Sequence, residues 1–165
     1  MTMQRRDMSP IAVADIPDGE ARAQVAALCW RIEDGRPEVL LVTSRETGRW
    51  VVPKGWSMKG KSAAEAARRE AWEEAGVEGR AVDACLGVYA YTKVLGKDED
   101  VPCIVELYPL KVKSLARKFP ERAQRRRRWF GLKKAAQRVD EPELKALLLG
   151  FDPKRPKPKS GGGGR

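Results

Sequence analysis

The order of elements predicts an α+β fold, arranged as an α/β/α sandwich with a mixed sheet between helices. Three observations carry this. An alanine-rich segment from Ser62 to Gly76 has the signals of one long helix, β-branched apolar runs lie on either side of it, and two shorter helical segments close the chain. The central helix has marked ends. Ser62 with Glu65 three residues later forms a capping box, and Gly76 stands where a left-handed cap is expected. At 3.6 residues per turn Glu70, Glu73 and Glu74 share roughly 100° of arc. Ala64, Ala71, Trp72 and Ala75 fall on the opposite side, where a sheet could cover them.

Ahead of the helix, Ala23 to Trp30 and Val39 to Thr43 are apolar runs separated by Glu33-Asp34-Gly35 and read as a hairpin. Trp50-Val51-Val52 is a short strand ending at Pro53, followed by a Pro53-Lys54-Gly55 turn. After the helix, Ala81 to Thr92 alternates loosely as one strand, a charged loop spans Gly96 to Asp100, and Ile104 to Val112 is a clear strand. Arg128-Trp129-Phe130 is short and strand-like. Leu132 to Arg138 and Glu141 to Leu149 read as helices, the second with Pro142 at its first position. Residues 1–20 are expected to be a flexible arm, 21–150 the folded domain, and 151–165 a disordered, basic, Pro- and Gly-rich tail.

With 165 residues, of which 42% are hydrophobic, the chain suits a single globular domain. No apolar run is long enough to span a membrane, and the N-terminus lacks an apolar signal core. Cys29, Cys85 and Cys103 are odd in number and widely spaced, which suits reduced, buried thiols in a cytoplasmic protein. The chain has no histidine, so triads, bases and metal sites built on imidazole are excluded. Acid–base chemistry must use carboxylates, Lys, Tyr or metal-bound water. A net charge of +10 points to anionic partners, with much of it at Arg122, Arg125 to Arg128 and Lys154 to Lys159.

Three carboxylates on one helical stripe repel one another unless a cation lies among them, and a hard divalent ion takes such oxygen ligands. The plain alternative is a solvated acidic face. The surroundings favour chemistry. Gly55, Arg69, Glu70, Ala71, Glu73, Glu74, Gly76 and Val77 match, in type and spacing, the signature box of the Nudix hydrolase family, which this chain resembles from about Arg22 to Leu149. One position departs: Lys61 stands where the box has its first Glu.

The resemblance implies metal-dependent hydrolysis of a phosphoanhydride bond. Glu70 and Glu74 would be the principal ligands of Mg²⁺, or of Mn²⁺, with Glu73 and the Gly55 carbonyl completing the shell. Glu70 or a downstream acidic residue would act as general base, and Arg69 would hold the helix carboxylates. Asp98, Glu99, Asp100 and Glu106 are candidates for a further carboxylate. The segment before the box is similar to the branch acting on diphosphoinositol polyphosphates and diadenosine polyphosphates. By that likeness Arg22, Ser44, Arg45, Lys54, Arg125, Arg126 and Arg127 would bind a phosphorylated small-molecule substrate. Gln24 replaces another basic residue of that branch. Two alternatives stand beside this: an RNA 5′-pyrophosphohydrolase steered by the basic tail, and a catalytically degenerate module that binds phosphate or RNA.

Overall fold

The computed structural model describes residues 11–96 and 99–154. Its centre is a mixed sheet of β1 (Arg22–Glu33), β2 (Arg36–Thr43), β3 (Trp50–Val51), β4 (Lys54–Trp56), β5 (Val77–Ala81), β6 (Gly87–Gly96), β7 (Glu99–Leu115) and β8 (Arg127–Gly131). The order β3-β2-β1-β7-β5 forms its spine, with β4 on β1, β6 on β7 and β8 on β2. β1 and β7 run parallel and every other pairing is antiparallel. Helix α1 (Ala63–Ala75) covers one face, and α2 (Leu132–Arg138) with α3 (Pro142–Leu149) covers the other. This is the expected sandwich.

β1 shows why the sheet must lie between helices. From Gln24 to Cys29 every residue is buried, with no polar alternation. Val25, Ala27 and Cys29 pack towards α1, whereas Ala26 and Leu28 pack towards α2 and α3. Two successive residues with positive φ, Asp34 at 53° and Gly35 at 76°, form the tight turn from β1 to β2.

α1 begins at Ser62, whose side chain accepts from the Glu65 N–H, and ends at Gly76 with φ 68°. Both caps are those the sequence predicts. The buried stripe differs in one respect. Ala64, Ala66, Ala67, Ala71 and Ala75 lie on the sheet, whereas Trp72 is only half-buried. Small side chains let the helix axis approach the sheet, and an indole would hold it away.

Three segment boundaries differ from expectation. The stretch 81–92 is two strands, since β5 ends at Ala81 and β6 starts at Gly87, each pairing a different part of β7. β7 extends back to Glu99, so Glu99 and Asp100 are strand residues; Lys97 and Asp98 lie outside the described residues. Lys54 to Trp56 is not a turn but β4, paired with Gln24 to Ala26. Of the expected N-terminal arm, Val13–Asp15 forms one 3₁₀ turn, and the Val13 N–H donates to Glu143 at 3.0 Å. Among the described residues no helix is long and apolar enough to cross a membrane.

Candidate functional site

β4 brings the sheet edge up to α1. Gly55 pairs with Val25, which faces α1, so Gly55 also faces the helix. A Cβ at Gly55 would land on the Glu70 carboxylate, so glycine is required here for space and not for backbone conformation. The Lys54 N–H donates to Glu74 Oε1 at 3.3 Å, which ties the same strand to the next turn of α1. The box residues Gly55, Glu70 and Glu74 are thus neighbours in space, as their spacing suggests.

The carboxylates differ sharply in environment. Glu74 is 7% exposed, beneath the acidic stripe and not on its solvent side. Arg125 reaches it from the segment before β8, Nη2 to Oε2 at 3.3 Å. Burial raises the Glu74 carboxyl, against the opposing pull of Arg125 and Lys54. Glu70 is half-buried, and its carboxyl is pushed up to about 7, first by burial and then by the negative charges of Glu74, Glu73 and Glu121. Glu73 pairs with Arg69, Nε to Oε2 at 2.9 Å, so the Arg69 guanidinium is held on the stripe.

Glu121 is a residue the sequence reading missed. It lies between β7 and β8, its N–H donates to the Glu73 carbonyl at 2.9 Å, and its Oε1 accepts from Arg125 Nε at 2.7 Å. Nothing in its local sequence marks it, because the contact depends on a loop folding back over the C-terminal half of α1. Of the anticipated extra carboxylates, Glu106 shares a cross-sheet row with Val25 and Gly55, about 10 Å from Gly55 with β1 between. It accepts the Tyr108 hydroxyl at 2.8 Å. Glu99 and Asp100 lie six or more residues further along β7, roughly 20 Å from that row, and Asp98 lies outside the described residues.

The arginine cluster divides by which way each side chain faces. Arg125 is inward, bonded to Glu74, Glu121 and the Thr43 carbonyl at 3.0 Å. Arg127 donates to the Ala75 carbonyl at 2.7 Å and stacks on Phe119, which closes the C-terminus of α1. Both guanidinium groups are thus engaged within the protein, Arg125 with the carboxylates and Arg127 with the end of α1. Arg126 is exposed, 5.6 Å from the Trp50 ring. Arg45 is exposed beside Gln124 (3.0 Å) and Glu121 (4.0 Å), at the rim of the carboxylates. Ser44 Oγ is 2.5 Å from Thr47 Oγ1 in the turn that presents Arg45. Arg22 and Lys54 lie elsewhere, on the sheet face turned away from α1. Burial pushes the Lys54 ammonium down to about 8, with Glu74 and Glu141 pulling the other way.

Among the described residues no three acidic or thiol groups converge as a finished ligand cluster. Glu73 is drawn aside by Arg69 and Glu74 by Arg125. The donor set nevertheless fits a hard divalent ion. It consists of carboxylate and carbonyl oxygens, and Glu70 is raised first by burial and then by the neighbouring negative charges of Glu74, Glu73 and Glu121. A stability test follows. The Glu70 carboxyl is higher in the folded chain than the ordinary 4.5, so its contribution is complete below pH 4.5 and lost as pH rises through 7. Without metal, Glu70→Gln is expected to be more stable than the parent at pH 8, by at most about 3 kcal/mol, with the gap closing by pH 4.5. Denaturant titrations at the two pH values in EDTA check this, and added Mg²⁺ should shrink the gap at pH 8.

Fold and site together define an α/β/α sandwich that presents an acidic helix, with Glu74 buried, against a glycine-bearing edge strand. The family profile of the NUDIX domain matches residues 22–149, and the chain belongs to that family. The chain is 36% identical to Nudix hydrolase 16, mitochondrial, of Arabidopsis thaliana, over 69% of its own length and 65% of that protein's. It is 31% identical to diphosphoinositol polyphosphate phosphohydrolase 3-alpha of Homo sapiens, over 83% of itself and 84% of that protein. The matches span 65%, 51% and 54% of three plant relatives, so the chain covers between half and two thirds of their lengths. Among solved structures, a C. elegans Ap4A hydrolase binary complex superposes with a TM-score of 0.58 at 22% identity, covering 78% of this chain and 93% of that one. The E. coli dihydroneopterin triphosphate pyrophosphohydrolase gives 0.61 at 14% identity, covering 79% and 96%. At these identities the structural likeness speaks for the fold alone.

Proposed function

We propose that the chain is a pyrophosphohydrolase that uses a divalent cation, Mg²⁺ or Mn²⁺, to cleave a phosphoanhydride bond in a highly phosphorylated small molecule. Diphosphoinositol polyphosphates and dinucleoside polyphosphates are the substrate classes, which the names of the human relative and the C. elegans neighbour support. The observation that carries this reading is the Glu70 carboxylate seated against Gly55, half-buried and raised towards neutrality. Glu70 and Glu74 would hold the ion, with Glu73 and the Gly55 carbonyl beside them. Once bound, the ion would neutralise phosphoryl charge and acidify water.

The residues of the chain supply the rest. In the metal-free chain the Glu70 carboxyl is raised to about 7, and a bound ion would lower it, so the general-base role proposed for Glu70 rests on its place against Gly55 and not on that value. Glu121 adds to the negative field around Glu70 while its own carboxylate accepts from Arg125. Arg69 restrains Glu73, and Arg125 restrains Glu74 while limiting its repulsion of an anionic substrate. Arg45, exposed beside Glu121 at the rim of the carboxylates, is the guanidinium group proposed here for bidentate phosphate contact, whereas Arg126 lies exposed over Trp50 on the other face of the sheet. Lys61 lies exposed on the turn before α1, where its charge acts on Glu65. It therefore leaves the Glu70–Glu74 pair in place. Of the tail on which the RNA alternative relies, residues 155–165 lie outside the described residues, while Phe151 at its start packs edge-on against Trp30.

Glu74→Gln is expected to lower Mg²⁺-dependent phosphate release by about a thousandfold, the scale of losing one preorganised charge contact or more. A panel of diadenosine polyphosphate, inositol pyrophosphate and 5′-triphosphate RNA reads both the activity and its class. Unchanged turnover in the variant would sink the mechanism.

A further inference from the structure

β4 sends successive side chains to opposite faces of the sheet. Gly55 faces the carboxylates, so Lys54 and Trp56 face away from them. Register identifies what joins them there. Trp56 stands opposite Gln24, Arg22 and Tyr91 both stand opposite Cys103, and Lys93 stands opposite Val101 two residues on. Arg22, Lys54, Trp56, Tyr91 and Lys93 therefore share one face at the same end of the sheet, across the edge strand from Glu70.

Their contacts interleave cations and rings. Arg22 Cζ lies 4.6 Å from the Trp56 ring centroid, Lys93 Nζ lies 5.8 Å from it, and Lys54 Nζ lies 5.0 Å from the Tyr91 ring. Tyr91 is anchored, its hydroxyl donating to the buried Gln24 at 2.7 Å. This explains Gln24 locally: a neutral acceptor positions a ring where a basic residue would not. Trp56 is different, at 36% exposed and in neither core cluster. The indole joins neither core cluster and is held by the Arg22 and Lys93 cations, so about a third of it stays open to a ligand one residue along the strand from Gly55. A ligand made of phosphates alone would engage the cations and leave the ring unused. A ligand that joins a flat base to phosphates would use both.

We propose that this face is a nucleotide subsite: Trp56 stacks a nucleobase while Arg22, Lys54 and Lys93 hold the adjoining phosphates. The inference rests on the phosphoanhydride reading above and narrows it to nucleoside polyphosphates, against base-free polyphosphates and inositol pyrophosphates.

The test uses the full chain and its Trp56→Ala and Trp56→Phe variants. KM and kcat are measured with Mg²⁺ on diadenosine tetraphosphate, inorganic tripolyphosphate and an inositol pyrophosphate. ATP binding is measured separately by calorimetry in EDTA. Trp56→Ala is expected to raise KM for the dinucleotide about tenfold with kcat little changed, to weaken ATP binding by a similar factor, and to leave the base-free substrates unaffected. Trp56→Phe should restore most of the loss. Equal changes for base-bearing and base-free substrates, or no change in ATP binding, would overturn the subsite. ATP binding that depends on Trp56 in a chain that hydrolyses nothing would retain the subsite and remove the hydrolase reading instead.

Discussion

Arg125→Ala is expected to destabilise the protein by roughly 3–5 kcal/mol, the cost of leaving a buried carboxylate without its partner. The Arg125 and Glu74 side chains are only 9% and 8% exposed, and the same guanidinium also serves Glu121 and the Thr43 carbonyl. Removing it would add repulsion among Glu70, Glu74 and Glu121 to the loss of those bonds. Mg²⁺ should return part of the stability by replacing the missing positive charge. The neighbouring Arg126→Ala, exposed beside Trp50, is expected to change stability by about 0.5 kcal/mol or less. Thermal unfolding separates the two, with a shift of about 10 °C for Arg125→Ala at this chain size. Similar shifts for both variants would contradict the inward placement of Arg125.

Gly55→Ala is expected to lower activity about a hundredfold or more with little loss of stability. The added methyl would occupy the place of the Glu70 carboxylate, which is the flexible end of a side chain and can swing aside without disturbing the core. Swinging aside removes it from its working position, and displacements of about 1 Å cost factors of that size. The measurement is kcat together with the unfolding midpoint. A variant that unfolds easily would mean that Gly55 serves the fold, and one with full activity would mean that Glu70 does not work at this position.

The residues that define the family were legible in the sequence because their relations are local. Capping by Ser62 and Gly76 and the stripe of Glu70, Glu73 and Glu74 follow from helical periodicity alone, and the absence of histidine left carboxylates as the credible metal ligands. The hairpin and the two closing helices were legible for the same reason. The burial of Glu74 was not, since the helix pattern puts it on the acidic stripe and only the packing of β4 and Arg125 encloses it.

What only the tertiary structure decided concerns strands and the loops between them, where a side chain's direction depends on pairing. Arg125 to Arg128 read as one charge run, yet pairing with β2 sends Arg127 to α1 while Arg126 lies over Trp50 on the other face. Register likewise places Gly55 towards Glu70 and Trp56 away from it, and a single-residue slip would exchange them. Glu121 entered the site through a loop contact about fifty residues distant in the chain from Glu70. The helix carried its chemistry in its own period, and the sheet acquired its share through its partners.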